Sequence, residues 1–129
     1  MKKYEILKED SIKVGNHTLY RIKALIDFGD VAAGELGGYI ESEKNLSHRG
    51  SCWIYNHDSK VYENAKISDH ADVISSTVYG NVKISGCAEV SSSTVYGNAE
   101  ISDDAMLSCS TVYGNAKISD DAKTNSKMK

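Results

Sequence analysis

Large aliphatic side chains recur along most of the chain in steps of six, six and five residues. One cycle runs through Val78, Ile84 and Val90, and the other cycles fall at Val61, Ile67, Val73, at Val95, Ile101, Leu107 and at Val112, Ile118. A small residue stands two positions before most of these aliphatics, and a spacing of two places both side chains on one face of a strand. The pattern predicts three short strands per cycle of 17 residues, each with its apolar side chains facing inward.

The polar positions repeat with the same period. The run from 76 to 92 reappears as 93–109 and as 110–126, and in looser form as 59–75. The unit lacks the sustained alternation of three and four residues between apolar positions that an amphipathic helix requires, so a helix is not predicted. An asparagine column at Asn64, Asn81, Asn98 and Asn115 predicts one corner, because asparagine tolerates left-handed backbone angles and its amides can bond along a stack. Gly80, Gly97 and Gly114 stand beside it for the same steric reason.

Three strands per cycle describe a triangular coil in which identical side chains stack at the strand spacing of about 4.8 Å. An aliphatic every six residues, preceded by a small residue, resembles the hexapeptide repeat of left-handed β-helix proteins, with one residue trimmed from every third hexad. The resemblance supplies the hand of the coil. The expected fold is all-β: a single-stranded left-handed parallel β-helix of about five coils with a small N-terminal β cap.

Residues 1–38 do not repeat, and we expect them to form a β-hairpin cap and a loop, followed by the β-helix over 39–126 and a polar tail over 127–129. Strands are predicted over 4–7, 12–14 and 18–25, the last two joined by a turn at Gly15 and Asn16. The leader is similar to that of small hexapeptide-repeat proteins of phages, prophages and bacteria through Asp27-Phe28-Gly29-Asp30-Val31 and Leu36-Gly37-Gly38-Tyr39-Ile40-Glu41-Ser42-Glu43. Members of that family carry no catalytic motif to transfer.

Composition narrows the function classes. Fifteen Lys and Arg against 18 Asp and Glu give a net charge of -3 without a clustered basic face, so direct nucleic-acid binding is not expected. No stretch approaches the roughly 20 apolar residues of a membrane span, and no export signal is expected. Cys52, Cys87 and Cys109 are an odd number without a Cys-x-x-Cys pair, which favours reduced thiols in a cytoplasm, that of a bacterial host if the chain is phage-encoded.

Candidate chemistry is sparse. Many left-handed β-helix proteins are acyltransferases with a histidine base, and others are zinc hydratases with histidines from adjacent protomers. His57 and His70 fall at predicted corners, and His70 heads a column with Cys87, which gives two ligands where a zinc site needs three or four. We expect no catalytic residue, no metal and no cofactor. Candidate ligand-binding residues are Lys66, Lys83, Lys117, His48, Arg49, His57 and His70.

The strongest functional signal is a predicted outward face of tyrosine and threonine. Successive side chains of a strand point to opposite faces, so the two neighbours of each inward valine face outward. The pattern therefore predicts an interface formed by Tyr62, Thr77, Tyr79, Thr94, Tyr96, Thr111 and Tyr113. The alternative is that the rings only stabilise neighbouring strands. A flat aromatic surface rimmed by charge is typical of interfaces, and a triangular coil favours a homotrimer.

These observations give two functional hypotheses. The first is a non-enzymatic, self-associating binding module of phage or prophage type, acting as a counter-defence factor that binds a host immune protein or a small nucleotide. The second is a reduced acyltransferase or metal-dependent hydratase that uses His57 or His70.

Overall fold

The computed structural model of the protein describes residues 2–121, 123–124 and 127–128. It confirms an all-β, left-handed parallel β-helix of about five coils. Among the described residues, the one helical segment is a 3-10 turn at Glu43–Asn45. No helix in this part of the chain has the length and apolar character needed to cross a membrane.

The leader is a β-hairpin followed by the strand that starts the coil. Strand β1 covers Tyr4–Val14 and pairs antiparallel with β2 at His17–Ala24. The two short strands predicted over 4–7 and 12–14 are therefore one strand, interrupted by a register shift between Leu7 and Ser11. The end of the predicted loop belongs to β3 (Leu36–Ile40), which pairs antiparallel with β2 and parallel with the next coil.

Three sheets form the sides of the coil. The first has the order β1-β2-β3-β5-β8-β11-β14-β17. Its last five strands are β5 (Lys60–Val61), β8 (Thr77–Val78), β11 (Thr94–Val95), β14 (Thr111–Val112) and β17 (Lys127–Met128). The second has the order β16-β13-β10-β7-β4, at Lys123–Thr124, Met106–Ser108, Glu89–Ser91, Asp72–Ile74 and Trp53–Tyr55. The third has the order β15-β12-β9-β6, at Lys117–Ile118, Glu100–Ile101, Lys83–Ile84 and Lys66–Ile67.

The predicted inward columns form the core. Val78, Val95 and Val112 are buried and stand in register across parallel strands. The same holds for the buried aliphatic columns of the other two sides, Ile67, Ile84, Ile101 and Ile118 on the third sheet and Ile54, Val73, Val90 and Leu107 on the second. A further buried column consists of serines at Ser59, Ser76, Ser93 and Ser110. The Ser76 hydroxyl donates to the Ile74 carbonyl at 2.8 Å and accepts the Ser93 amide at 3.0 Å, so the buried polar groups at this corner are satisfied.

The asparagine corner is as predicted in its hydrogen bonds and different in its backbone. Each amide donates to the next along the column, from Asn64 to Asn81 at 3.1 Å and from Asn81 to Asn98 at 3.1 Å. The positive φ angles fall on the preceding glycines, as at Gly80 (φ 83°). A Cβ on Gly80 would lie 2.9 Å from the Gly97 carbonyl of the next coil, so the stack also requires glycine for space.

The start of the leader is anchored across the first coil. The buried Lys3 ammonium donates to the Cys52 carbonyl at 2.7 Å and to the Gly50 carbonyl at 3.2 Å. The Tyr4 hydroxyl donates to the Leu46 carbonyl at 2.6 Å. Burial lowers the pKa of Lys3, and these carbonyl contacts accommodate the ammonium.

At the other end, β17 at Lys127–Met128 pairs with Thr111–Val112, so two of the three residues of the predicted tail lie in the first sheet. The predicted limits at 126 and 129 lie outside the described residues.

Candidate interaction surfaces

The four tyrosines form a continuous stack along one edge of the first sheet. Ring centroids are 5.2 Å apart from Tyr62 to Tyr79, 5.2 Å from Tyr79 to Tyr96 and 5.5 Å from Tyr96 to Tyr113, and the ring planes lie within 12° of parallel. The threonines form the neighbouring outward column, because Thr77, Thr94 and Thr111 are paired in register. Burial raises the pKa of Tyr62 and of Tyr79, which favours the neutral form of these two hydroxyls.

The hairpin covers the first ring of this stack. Tyr62 is 8% exposed and belongs to a buried cluster with Leu19 and Tyr39, against which Ile12 and Val14 also pack. Tyr79 lies at the margin of that cluster, and Tyr96 and Tyr113 are partly exposed beyond it. The column of identical side chains is thus covered at one end and open at the other.

A histidine joins the hairpin to the coil beside Tyr62. His17 Nδ1 lies 2.9 Å from Glu41 Oε2, and His17 Nε2 lies 3.0 Å from Glu63 Oε2. The hydrogen bond to Glu41 raises the pKa of His17, against a smaller opposing effect of burial. Both carboxylates also accept backbone amides, Glu41 from Glu63 at 2.8 Å and Glu63 from Gly80 at 2.9 Å. This bridge holds the hairpin over the first tyrosine.

The lysine column lies on the third sheet, and the structure separates its members. Lys66 and Lys83 are paired in register, and both line a groove of about 270 Å³ together with Lys44. Lys117 is two coils further along, and Glu100 stands between it and Lys83. The three candidate lysines therefore do not share one site.

None of the candidate residues at the corners lines the groove. His57 is exposed in the turn between the second and first sheets, and His70 in the turn between the third and second. The Ser51 hydroxyl lies 2.9 Å from His70 Nδ1. Arg49 is exposed in an irregular corner. In the described residues no group of three or more His, Cys, Asp or Glu side chains is placed to hold a metal ion.

His48 is engaged in anchoring the leader. Its Nδ1 accepts the Lys3 amide at 3.2 Å, so the ring proton is on Nε2, which lies 2.7 Å from Glu43 Oε1. Its ring stacks on Tyr4 at 4.1 Å. Both ring nitrogens are occupied within the chain.

The second sheet presents two carboxylates in register, Asp72 and Glu89, among apolar and hydroxyl side chains. Burial, with the neighbouring carboxylates Glu89 and Asp30, raises the pKa of Asp72 to about 6. Burial likewise raises the pKa of Tyr55 to about 12. The outward side of the first sheet is therefore aromatic, that of the second mixed, and that of the third mainly lysine.

Comparison with known proteins gives one partial similarity and no matching family model. YdcK of Escherichia coli strain K12, an uncharacterised acetyltransferase, is 37% identical over 70 residues, which cover 54% of this chain and 21% of that protein. The chain thus spans about a fifth of the length of the curated relative it matches. This similarity and the solenoid architecture fit the hexapeptide-repeat β-helix proteins.

Sequence reasoning missed the residues that the leader brings to the coil. His17 and Glu41 lie in the aperiodic part of the chain, where spacing carries no information. Glu63 did offer a signal, since it occupies the position that glycine fills in the next three coils and keeps a positive φ of 61°. Lys44 and Ser51 gave no periodic signal.

Proposed function

We propose that the protein is a β-helix binding module that associates with copies of itself through the open part of the tyrosine stack. The observation that carries the proposal is the contrast within one column: Tyr62 is covered by apolar side chains of the hairpin, whereas Tyr96 and Tyr113 are partly exposed. Stacked aromatic rings rimmed by threonines match the composition of interface centres, which are rich in tyrosine and poor in charge.

The hairpin indicates what kind of surface fits the stack. Leu19 and Tyr39 pack on the first ring, and the His17 ring also lies beside it, with the ring centroids 5.2 Å apart. A cover for the following rings would have the same chemistry, and each Å² of apolar area it removes from water contributes roughly 25 cal/mol.

A second copy of the chain is the occupant that we infer. Three successive coils present the same Thr and Tyr pair at the same position, so this part of the face is regular along the axis. Three triangular coils can each place one such face toward a common axis, which makes a closed homotrimer the expected assembly.

The test is the mass of the protein in solution, measured by light scattering during size-exclusion chromatography, for Tyr96→Ser combined with Tyr113→Ser. These substitutions keep the outward positions polar and leave the buried Val95 and Val112 unchanged. We expect a folded protein whose mass falls from about three chains to one.

The matched control is Glu100→Ser combined with Lys117→Ser, which changes two outward side chains of the same two coils on a different sheet. The control is expected to keep the mass of the wild type. A wild type that is monomeric at all concentrations, or a tyrosine variant that keeps its mass, would contradict the proposal.

Acetyl transfer is the second candidate function, and the name of the E. coli relative supports it. The residues of this chain that bear on it are Ser51 and His70, because the serine hydroxyl can donate to the imidazole Nδ1 over 2.9 Å. An imidazole that accepts this proton would act as a general base toward the hydroxyl. The metal-dependent hydratase alternative would use His57 or His70.

The two candidates are separable with the purified protein. Acetyl-coenzyme A is incubated with amine and hydroxyl acceptors, and its loss is followed by chromatography. Turnover that His70→Ala abolishes would favour the enzyme, and no turnover by the wild type would favour the binding module. Zinc content measured in the same preparations addresses the hydratase.

The proposal includes a biological setting, that of a counter-defence factor of a phage or prophage in a bacterial cytoplasm. Its support is the resemblance of the leader alone. The partner class would be a host immune protein or a small nucleotide. Capture of a defined host immune protein by the wild type, and not by the Tyr96 and Tyr113 variant, is the expected result.

A further inference from the structure

We infer that the groove on the third sheet is a binding site for a small phosphate-bearing ligand. It is a depression of about 270 Å³ between the irregular first coil and the two coils that follow. Its polar lining consists of lysines and serines: Lys44, Lys66, Lys83, Ser47, Ser68 and Ser85. It lies on a different side of the coil from the tyrosine stack and does not depend on the association proposed above.

The lysines converge at the groove, whose lining contains no carboxylate, while Glu100 stands beside Lys83 away from Lys66 and Lys44 interacts electrostatically with Glu41. Lys66 and Lys83 are directly paired on adjacent strands, where like charges destabilise a sheet. Within the described part of the chain, no carboxylate lies within ion-pair distance of either one or of Lys44. Lys44 has one polar contact, a hydrogen bond of 3.0 Å to Asn64 Oδ1, which leaves two of its N–H groups for a ligand. A bound anion would relieve the repulsion of the pair.

The serines supply directed donors beside these charges. Ser47, Ser68 and Ser85 stand in one column, since the Ser47 amide bonds to the Ile67 carbonyl and the Ser68 amide to the Ile84 carbonyl. The Ser47 oxygen accepts the Arg49 amide at 3.0 Å, so its own hydroxyl proton remains to be donated. Hydroxyl and ammonium donors without an acidic side chain form the donor set that phosphate oxygens require.

The shape of the groove limits the ligand. Ile67 also lines the groove but is only 1% exposed and belongs to the core, so the surface that a ligand meets comes mainly from the lysine and serine side chains. A volume of about 270 Å³ is at the lower end of ligand pockets, which favours a phosphomonoester or a diphosphate over a large cofactor.

The experiment is calorimetric titration of the intact protein with inorganic pyrophosphate at constant ionic strength. The variant is Lys66→Gln combined with Lys83→Gln, which removes both charges and keeps polar side chains at both positions. The matched control is Lys117→Gln, in the same outward column and beyond Glu100, outside the groove. Thermal melting establishes that each variant is folded.

We expect the wild type to bind pyrophosphate with one site per chain, the double variant to lose at least 10-fold in affinity, and the control to keep its affinity. Adenosine monophosphate as a second probe reports whether an organic group on the phosphate adds affinity over inorganic phosphate. The inference is overturned if the wild type shows no saturable binding at millimolar pyrophosphate. Equal losses in the control and the double variant would also overturn it, since they indicate a general charge effect.

Discussion

The regular coils and the leader are stabilised in different ways. In the coils, each side chain contacts its own counterpart one turn away, so that valine lies on valine, asparagine on asparagine and tyrosine on tyrosine. In the leader, each contact is unique: Lys3 bonds to Cys52, Tyr4 to Leu46 and His17 to two glutamates. The coils repeat one set of contacts from turn to turn, whereas the leader covers the end of the stack.

This difference explains why the two ends of the tyrosine stack are not equivalent. A solenoid leaves its last strands unpaired unless another element covers them. The hairpin pairs with the first sheet through β3, and Leu19 and Tyr39 from the hairpin and β3 cover Tyr62. Tyr96 and Tyr113 keep the same stacking geometry but are not covered by the hairpin, and we propose that they are the rings that take part in association.

The largest expected effect is in the coil interior. Val95 is fully buried, so Val95→Asp places a carboxylate without a partner inside the coil. We expect the free energy of unfolding to fall by several kcal/mol and the chain to unfold. Circular dichroism and thermal melting report the loss. Thr94→Asp, one residue earlier and outward, is the control and is expected to cost about 1 kcal/mol or less. Equal melting points for the two variants would contradict the inward assignment.

Covered and open rings of one column should differ in their contribution to stability. Tyr62→Ser removes a buried ring and is expected to cost about 2–3 kcal/mol, whereas Tyr113→Ser removes a partly exposed one and is expected to cost about 1 kcal/mol. Urea unfolding at low protein concentration, where association does not contribute, measures both. Equal costs would mean that the hairpin does not stabilise the first ring.

The anchor of the leader gives a third comparison. Lys3→Met keeps an unbranched side chain and leaves the Gly50 and Cys52 carbonyls without the ammonium donor, so we expect the free energy of unfolding to fall by about 1–3 kcal/mol. Lys2→Met removes an exposed ion pair of 3.3 Å to Glu43 and is expected to cost less than about 0.5 kcal/mol. Amide exchange in the hairpin should accelerate in the first variant and not in the second.

The smallest expected effect is a pH dependence confined to the hairpin. The pKa of His17 is raised in the folded state by its hydrogen bond to Glu41, so its contribution is complete below the unfolded value near 6.5 and is lost as pH rises through the folded value. Burial alone would raise the pKa of Glu41, yet the hydrogen bond to His17 holds it below 4.5, so its contribution is lost on acidification below that value.

Hairpin protection should therefore be greatest between about pH 4.5 and 6.5. Amide exchange measured across that range checks the expectation, with the central coils as an internal reference. His17→Gln should remove the decline at high pH. A decline that persists in this variant would assign it to another group.

Much of the fold could be predicted because the coil is periodic. Once the spacing of Val78, Ile84 and Val90 is recognised, strand positions, inward side chains and the asparagine column follow for every turn. The failures lie where periodicity ends. The strands predicted over 4–7 and 12–14 are one, because a register shift can interrupt pairing without a turn residue in the sequence. The register of the lysine column could be predicted from the repeat. The repeat does not show that Lys44 lines the groove with Lys66 and Lys83, or that Lys117 lies outside it.

The sequence by itself determined the period, the three sides of the coil and the chemical character of each outward column, because every residue of a solenoid contacts its own equivalent one repeat away. The tertiary structure alone decided which rings are covered, where the lysines meet and how His17 reaches Glu41 and Glu63. Those contacts join an aperiodic leader to a periodic coil across 24 to 46 residues of chain, and only the path of the backbone sets their distances.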